Sequence, residues 1–283
     1  MKRWNILVLG IIALLAISLV IAGRKSSSTT SMEKEMSATP IVEGTRSPVL
    51  VELFTSEGCS SCPPADELLA RLEKEQPVAS AEIIVLSQHV DYWNSLGWAD
   101  PYSSAAFSER QGGYAEAFKR DGVYTPQMVV DGQAEFVGSN RDKAQNAIAA
   151  ATKTPKATIQ IARGEQSGTE SNVIPLNIRI ENLPEVTAGN AAGVLLAVAE
   201  SDLHSSVARG ENAGRSLKHV AVVRQLGVIG NINPQDSKTL ATSSTINLDT
   251  NWKRENLRAI VFVQESNSRR VLGVTAMSLA TNK

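Results

Sequence analysis

Cys59 and Cys62 are the only cysteines in this 283-residue chain, and they stand in one tetrapeptide, Cys59-Ser60-Ser61-Cys62. Before it runs Val49-Leu50-Val51-Glu52-Leu53-Phe54, a short apolar segment of strand type. After it comes Asp66-Glu67-Leu68-Leu69-Ala70-Arg71-Leu72, with leucines at helical spacing. A C-x-x-C pair between a strand and a helix is spaced for thiol–disulfide chemistry. A bridge between these two residues closes almost no loop, so fold stabilisation is a weak reason for its presence.

The elements around the pair follow an order. A helix is expected over 64–75 and a second, apolar strand over 83–90. Helical stretches follow at 103–110 and 113–120. Asp131-Gly132 then marks a two-residue turn between strands within 127–137, and a helix closes the unit at 141–151. The β-α-β portion requires a parallel pair with a right-handed crossover. Past Pro155 the pattern changes to about seven short strands, which reads as an all-β sandwich. The expected organisation is therefore an α/β domain at 48–153 and a β-sandwich domain at 156–283.

Lys2 and Arg3 precede an apolar stretch from Ile6 to Gly23, followed by Arg24-Lys25. Segment 1–23 is read as a signal peptide or an uncleaved signal-anchor helix, and the Ser/Thr-rich segment 24–47 as a flexible linker. Val20-Ile21-Ala22 is a weak cleavage site, and no cysteine follows the stretch to carry a lipid. Either outcome puts the rest of the chain outside the cytoplasm, periplasmic or secreted, where disulfides persist. The net charge of −1, without a basic block, gives no footing for nucleic acid.

In element order, and in Thr125-Pro126 ahead of the hairpin, residues 48–153 resemble the thioredoxin fold. The chain more closely resembles a family of secreted bacterial proteins, the domain-of-unknown-function family numbered 1223. The carrying motifs run from Glu52 through Cys59-Ser60-Ser61-Cys62-Pro63-Pro64-Ala65-Asp66. They also include His89-Val90-Asp91-Tyr92-Trp93, Leu96-Gly97-Trp98, Tyr124-Thr125-Pro126-Gln127, and Gly210-Glu211-Asn212-Ala213-Gly214-Arg215 with His219. The likeness spans residue 48 to the end. It implies a thioredoxin-like body with a cis Pro126 against the disulfide, and no agreed activity.

Within that frame Cys59 is expected to be the surface-near nucleophile and Cys62 the resolving thiol. Pro63-Pro64 allows the helix to begin only after both cysteines, which weakens the helix dipole at Cys59. Glu52 interrupts an otherwise buried strand. It is either a buried proton acceptor for the resolving cysteine or a structurally paired acid. Thr125, His89 and Trp93 are expected to line a client site, because the C-terminal ends of parallel strands border active crevices. Nine of the thirteen aromatics fall between residues 92 and 136, which places any apolar groove there.

Glu211, Asn212, Arg215 and His219 form a polar cluster that either fixes a hairpin or grips the first domain, a partner or a ligand. No cofactor is expected. Cys59, Cys62 and His89 offer soft ligands to copper(I) or zinc, but with no second cysteine pair no metal site is assigned. The expected function is an extracytoplasmic thiol–disulfide oxidoreductase with a protein or small-molecule client and a separate redox partner. The alternatives are a thioredoxin-like binding protein with a structural disulfide, or a copper delivery protein.

Overall fold

The apolar run ahead of the cysteines forms strand β1 (Ser47–Thr55), which pairs in parallel with β2 (Ala81–His89), Val51 opposite Val85. Helix α1 (Pro63–Glu75) makes the crossover between them and buries Ala65, Leu68, Leu69 and Leu72. Its end is fixed by Gln76, which turns left-handed at φ 48°. The Gln76 amide then accepts from Ile83 N–H at 2.8 Å and donates to the Ile83 carbonyl at 2.9 Å, setting the register of β2. The computed structural model describes residues 46–165, 172–233 and 237–281. The expected segment 1–23 and nearly all of linker 24–47 lie outside the described residues. Among the described residues no helix is long and apolar enough to cross a membrane.

The two helices expected at 103–110 and 113–120 are one, α2 (Ala105–Ala117), capped by the Ser104 hydroxyl. Gly113 does not break it; it makes room, since a Cβ there would collide with the Arg269 guanidinium. The hairpin β3 (Gln127–Val130) and β4 (Ala134–Val137) adds antiparallel to β1, and α3 (Arg141–Ala151) follows with Asn140 as its cap. Gly132 in the hairpin turn sits at φ +66°, directly against the Arg269 carbonyl, where no side chain fits.

Beyond Pro155 come β5 (Thr158–Arg163), β6 (Val173–Glu181), β7 (Ala192–Glu200), β8 (Leu203–Ser206) and β9 (Ser216–His219). They are followed by β10 (Val222–Ile232), β11 (Leu240–Asn247), β12 (Leu257–Glu265) and β13 (Val271–Ser278). These strands do not form a separate sandwich. Four of them join the first-half strands in a mixed eight-stranded sheet ordered β13-β12-β7-β10-β2-β1-β3-β4. The junction is the parallel pairing of β10 with β2 at Val222 and Ser87. A three-stranded sheet, β11-β6-β5, packs on one face of the large sheet, and β8-β9 form a separate ribbon.

Alternation along β12 shows how one strand serves two cores. Leu257, Ala259, Val261 and Val263 face the three-stranded sheet, whereas Ile260 and Phe262 share a core with β1, β2 and α1. Strands buried on both faces read as continuous apolar runs, which is why periodicity alone did not separate them from sandwich strands. The two expected domains are thus joined through one sheet and one core, and the described residues belong to one compact unit.

Candidate functional site

β1 ends at Thr55, and the chain then winds through Ser56-Glu57-Gly58 into the cysteines. The Ser56 hydroxyl accepts from Gly58 N–H at 3.1 Å, and its carbonyl accepts from Cys59 N–H at 3.1 Å. Cys62 is the cap of α1, and its carbonyl takes the N–H groups of Ala65 and Asp66. Both cysteines therefore precede the helix, as Pro63 at its first position requires. They are disulfide-bonded with Cα atoms 5.4 Å apart. Cys59 is not near the surface: it is 1% exposed and Cys62 is 0% exposed, while Ser60 and Ser61 between them face solvent.

The loop between β8 and β9 is bonded to the cysteine segment. Asn212, itself fully buried, donates through Nδ2 to the carbonyls of Glu57 (2.8 Å) and Cys59 (2.9 Å). Glu211 accepts from Ser60 N–H at 2.9 Å. Of the second-half polar residues, Glu211, Asn212 and His219 thus meet at the C-x-x-C loop. Arg215 does not reach it with its side chain, which is exposed; only its backbone helps close the loop.

Thr125-Pro126 is a cis peptide bond. Trp93 connects it to the cysteine loop: its indole Nε1 donates to the Thr125 hydroxyl at 2.8 Å, and its Cβ packs against Gly58. Pro126 borders Gly138 together with Ala65 of α1.

Glu52 is buried, but it faces α2, where Phe54 on the same side of β1 meets Tyr114 edge-on. Its carboxylate accepts from Arg110 Nε and Gln88 Nε2, each at 2.7 Å, and from the Tyr114 hydroxyl. With those donors in place it is a structural ion pair, and nothing in its surroundings links it to the sulfurs.

A different acid lies one helical turn from Cys62. Asp66 is buried, and its Oδ1 has no hydrogen-bond partner among the described residues. Burial pushes its carboxyl up to about 7, against the pull of the His219 charge and the Thr55 hydroxyl. Asp66 also borders a cleft of about 200 Å³ shared with Pro63, Glu67 and residues 216–218 of β9.

Around it stand two histidine–carboxylate pairs. His89 Nδ1 lies 2.7 Å from Asp100, whose carboxylate also accepts from the N–H groups of Glu57 and Tyr102. His219 Nε2 lies 2.9 Å from Glu57, which also accepts from the Trp98 indole at 2.8 Å. The two imidazoles meet edge to face at 4.9 Å, and Tyr102 touches both. Burial raises Glu57 and Asp100, but the histidine contacts and hydrogen bonds outweigh it and hold both below the usual carboxylate range.

Sequence reasoning singled out His89 and His219 but not their partners Glu57 and Asp100, nor Asp66. Asp66 had one usable signal, a place four residues after Cys62 and so one turn along the same helix. Among the described residues no group of three or more His, Cys, Asp and Glu is arranged to hold a metal ion.

Fold and site together define a mixed α/β protein with a buried C-x-x-C disulfide at a strand-to-helix junction. The chain belongs to the family described as "Protein of unknown function (DUF1223)", whose model matches residues 50–264. Among solved structures it is similar to protein AGR_C_4864 from Agrobacterium tumefaciens. That match has 25% identity and a TM-score of 0.62, covering 84% of this chain and 97% of that one. Two structures of beta-glucosidase from Kluyveromyces marxianus match at TM-scores of 0.22 and 0.20, with 13% and 12% identity. They cover 60% and 59% of this chain but 17% and 16% of theirs, and carry no argument. No curated protein matches.

Proposed function

We propose that this chain is a thiol–disulfide oxidoreductase with a thioredoxin-like core, working outside the cytoplasm and delivered there by its N-terminal segment. One observation carries the reading: a closed C-x-x-C disulfide at the β1–α1 junction, in a loop that Trp93 ties to Thr125. A C-x-x-C pair at a strand-to-helix junction is spaced for redox exchange, and a bridge across two residues closes too small a loop to brace a fold.

In the reduced protein the Cys59 thiolate attacks a client disulfide. The client S–S bond breaks, a Cys59–client disulfide forms, and one client thiolate leaves. The Cys62 thiolate then attacks the Cys59 sulfur, breaking the mixed disulfide and releasing the second client thiolate. Two electrons pass to the client, and the Cys59–Cys62 bond is restored. A separate dithiol partner resets the pair.

Replacing Cys62 with Ala removes the resolving step, so mixed disulfides through Cys59 should accumulate in intact cells and be identified by mass spectrometry. A second reading is favoured by the burial of both sulfurs. In it the chain is a thioredoxin-like binding protein whose disulfide is inert. Absence of any trapped partner, with a reduction potential below about −300 mV, would establish that reading instead.

A further inference from the structure

Both sulfurs are buried, yet the residues between them, Ser60 and Ser61, are exposed. The loop between β8 and β9 is bonded to the backbone on either side of Cys59. That loop offers the cysteine segment two donor contacts, from Asn212 to the carbonyls of Glu57 and Cys59, and one acceptor, Glu211, to Ser60 N–H. These are main-chain groups of a connecting segment with no strand beside them. An extended peptide satisfies such groups with its own alternating N–H and C=O. Asn212 and Glu211 supply the same complement from side chains.

The seating is incomplete. Asn212 Oδ1 is buried and finds no partner among the described residues, which a fixed structural plug would avoid. The loop's apolar anchorage is confined to its start. Val207 is buried and Gly210 packs against Gly97-Trp98, but Glu211, Ala213, Gly214 and Arg215 are exposed. Gly210 and Gly214 both sit at positive φ, near +77° and +80°, so the loop turns on two residues free of side-chain strain.

We propose that residues 207–215 are a displaceable strap over Cys59–Cys62, and that the dithiol partner which resets the pair displaces it as an extended cysteine-containing peptide segment. This inference rests on the redox reading and adds the class of its dithiol partner and its gate. The pair is closed to folded surfaces and to bulk reductant while Asn212 is seated. It opens when a peptide main chain takes over the three hydrogen bonds. The peptide thiolate then attacks one sulfur of the pair, breaking the Cys59–Cys62 bond. A peptide–protein disulfide forms and the other cysteine leaves as thiolate.

The test uses the oxidised full-length chain, as wild type, Asn212→Ala and Glu211→Ala. Each is reduced by dithiothreitol and, separately, by an unstructured decapeptide carrying two reduced cysteines; new thiols are counted by alkylation and mass spectrometry. Loss of the Asn212 contacts should speed reduction by dithiothreitol roughly tenfold, and loss of the Glu211 contact roughly threefold. In wild type the peptide should outpace dithiothreitol at equal thiolate concentration, and the variants should narrow that gap. Equal rates for all three proteins, or a peptide with no advantage in wild type, would overturn the strap.

Glu211 is exposed, so Glu211→Ala is expected to fold even where Asn212→Ala does not, and thermal melts check both. Partner trapping in a Cys62→Ala chain reads the redox function separately. Trapped partners with unchanged reduction rates would remove the strap and keep the oxidoreductase. Faster reduction without any trapped partner would keep the strap and remove the oxidoreductase.

Discussion

Asp66 and Glu52 show how two buried acids, on α1 and β1, take opposite roles. Asp66 has a folded pKa of about 7 against an ordinary 3.8. Between those values the folded state holds a proton that the unfolded chain releases. The stability from this group is therefore complete below about pH 4 and is lost as pH rises through 7. Asp66→Asn keeps the shape of the protonated acid without the titration. At pH 4 the variant should match wild type, and at pH 8 it should be more stable by up to about 4 kcal/mol, at about 1.4 kcal/mol per unit. Urea denaturation across that range checks both ends; parallel curves at every pH would show that Asp66 stays ionised in the fold. Glu57 and Asp100, held low, lose their stabilisation on the acid side, and this cancels in the difference between variant and wild type. For Glu52 the expected change is the reverse. Glu52→Gln leaves the Arg110 guanidinium buried against Tyr114 and Phe262 without its anion. A loss of about 3–5 kcal/mol is expected in urea denaturation at neutral pH. The sequence marked Glu52 as anomalous because an acid in an apolar strand must be neutralised or paired. Which of the two holds depends on α2, whose approach to β1 no local pattern encodes.

At the scale of elements, the β3–β4 hairpin docks on the β12–β13 turn through contacts between residues more than 130 positions apart. Val271 N–H donates to the Asp131 carbonyl at 2.9 Å, and Gly132 lies under the Arg269 carbonyl. Gly132→Ala would place a Cβ at positive φ and into that carbonyl, so the turn must separate from its dock. The expected loss is about 1–3 kcal/mol or more by urea denaturation. Gly122→Ala is the control: it meets no neighbouring atom within 4 Å and should change stability by less than about 0.5 kcal/mol. Asp131-Gly132 was legible as a turn because that pair favours one intrinsically; its dock was not, since docking is a property of both surfaces. A hairpin was expected around residues 211–219, but the extents of β8 and β9 escaped for a related reason. Leu203-His204-Ser205-Ser206 and Ser216-Leu217-Lys218-His219 are short and mostly polar, with too few apolar residues to show a period. Their service to the cysteines runs through Asn212 and His219, which read locally as turn and strand-end residues. The strand, C-x-x-C and helix were legible because their signals are contiguous.

For the whole molecule, the sheet decides what can fold alone. A break at Pro155 looks natural in sequence, since helix periodicity ends there and strand alternation begins. In space, the portion before it is missing one edge and much of one face. β2 takes β10 as its neighbour, with Ser87 N–H bonded to the Ala221 carbonyl at 2.8 Å. Ile260, Phe262, Val271 and Val274 fill the same core as Val49, Leu50 and Leu69. Ion pairs and a buried hydrogen bond also cross the break: Lys156 with Asp131, Arg258 with Glu73, and His219 Nε2 with Glu57. A chain of residues 46–154 would expose that apolar face and the free edge of β2, and would leave Glu57 and Asp131 without the His219 and Lys156 side chains that pair with them. Burying a Phe, Ile or Val side chain is worth about 1.5–3 kcal/mol, so losing those four core side chains removes stabilisation comparable to the 5–15 kcal/mol by which a whole domain is stable. The fragment should therefore show no cooperative unfolding transition, weak near-ultraviolet circular dichroism and strong binding of a hydrophobic dye. Mixing it with a second fragment, residues 156–281, should restore the transition, since the two halves complete one sheet. A fragment 46–154 that melts cooperatively by itself would make the cysteine domain autonomous and the shared core dispensable.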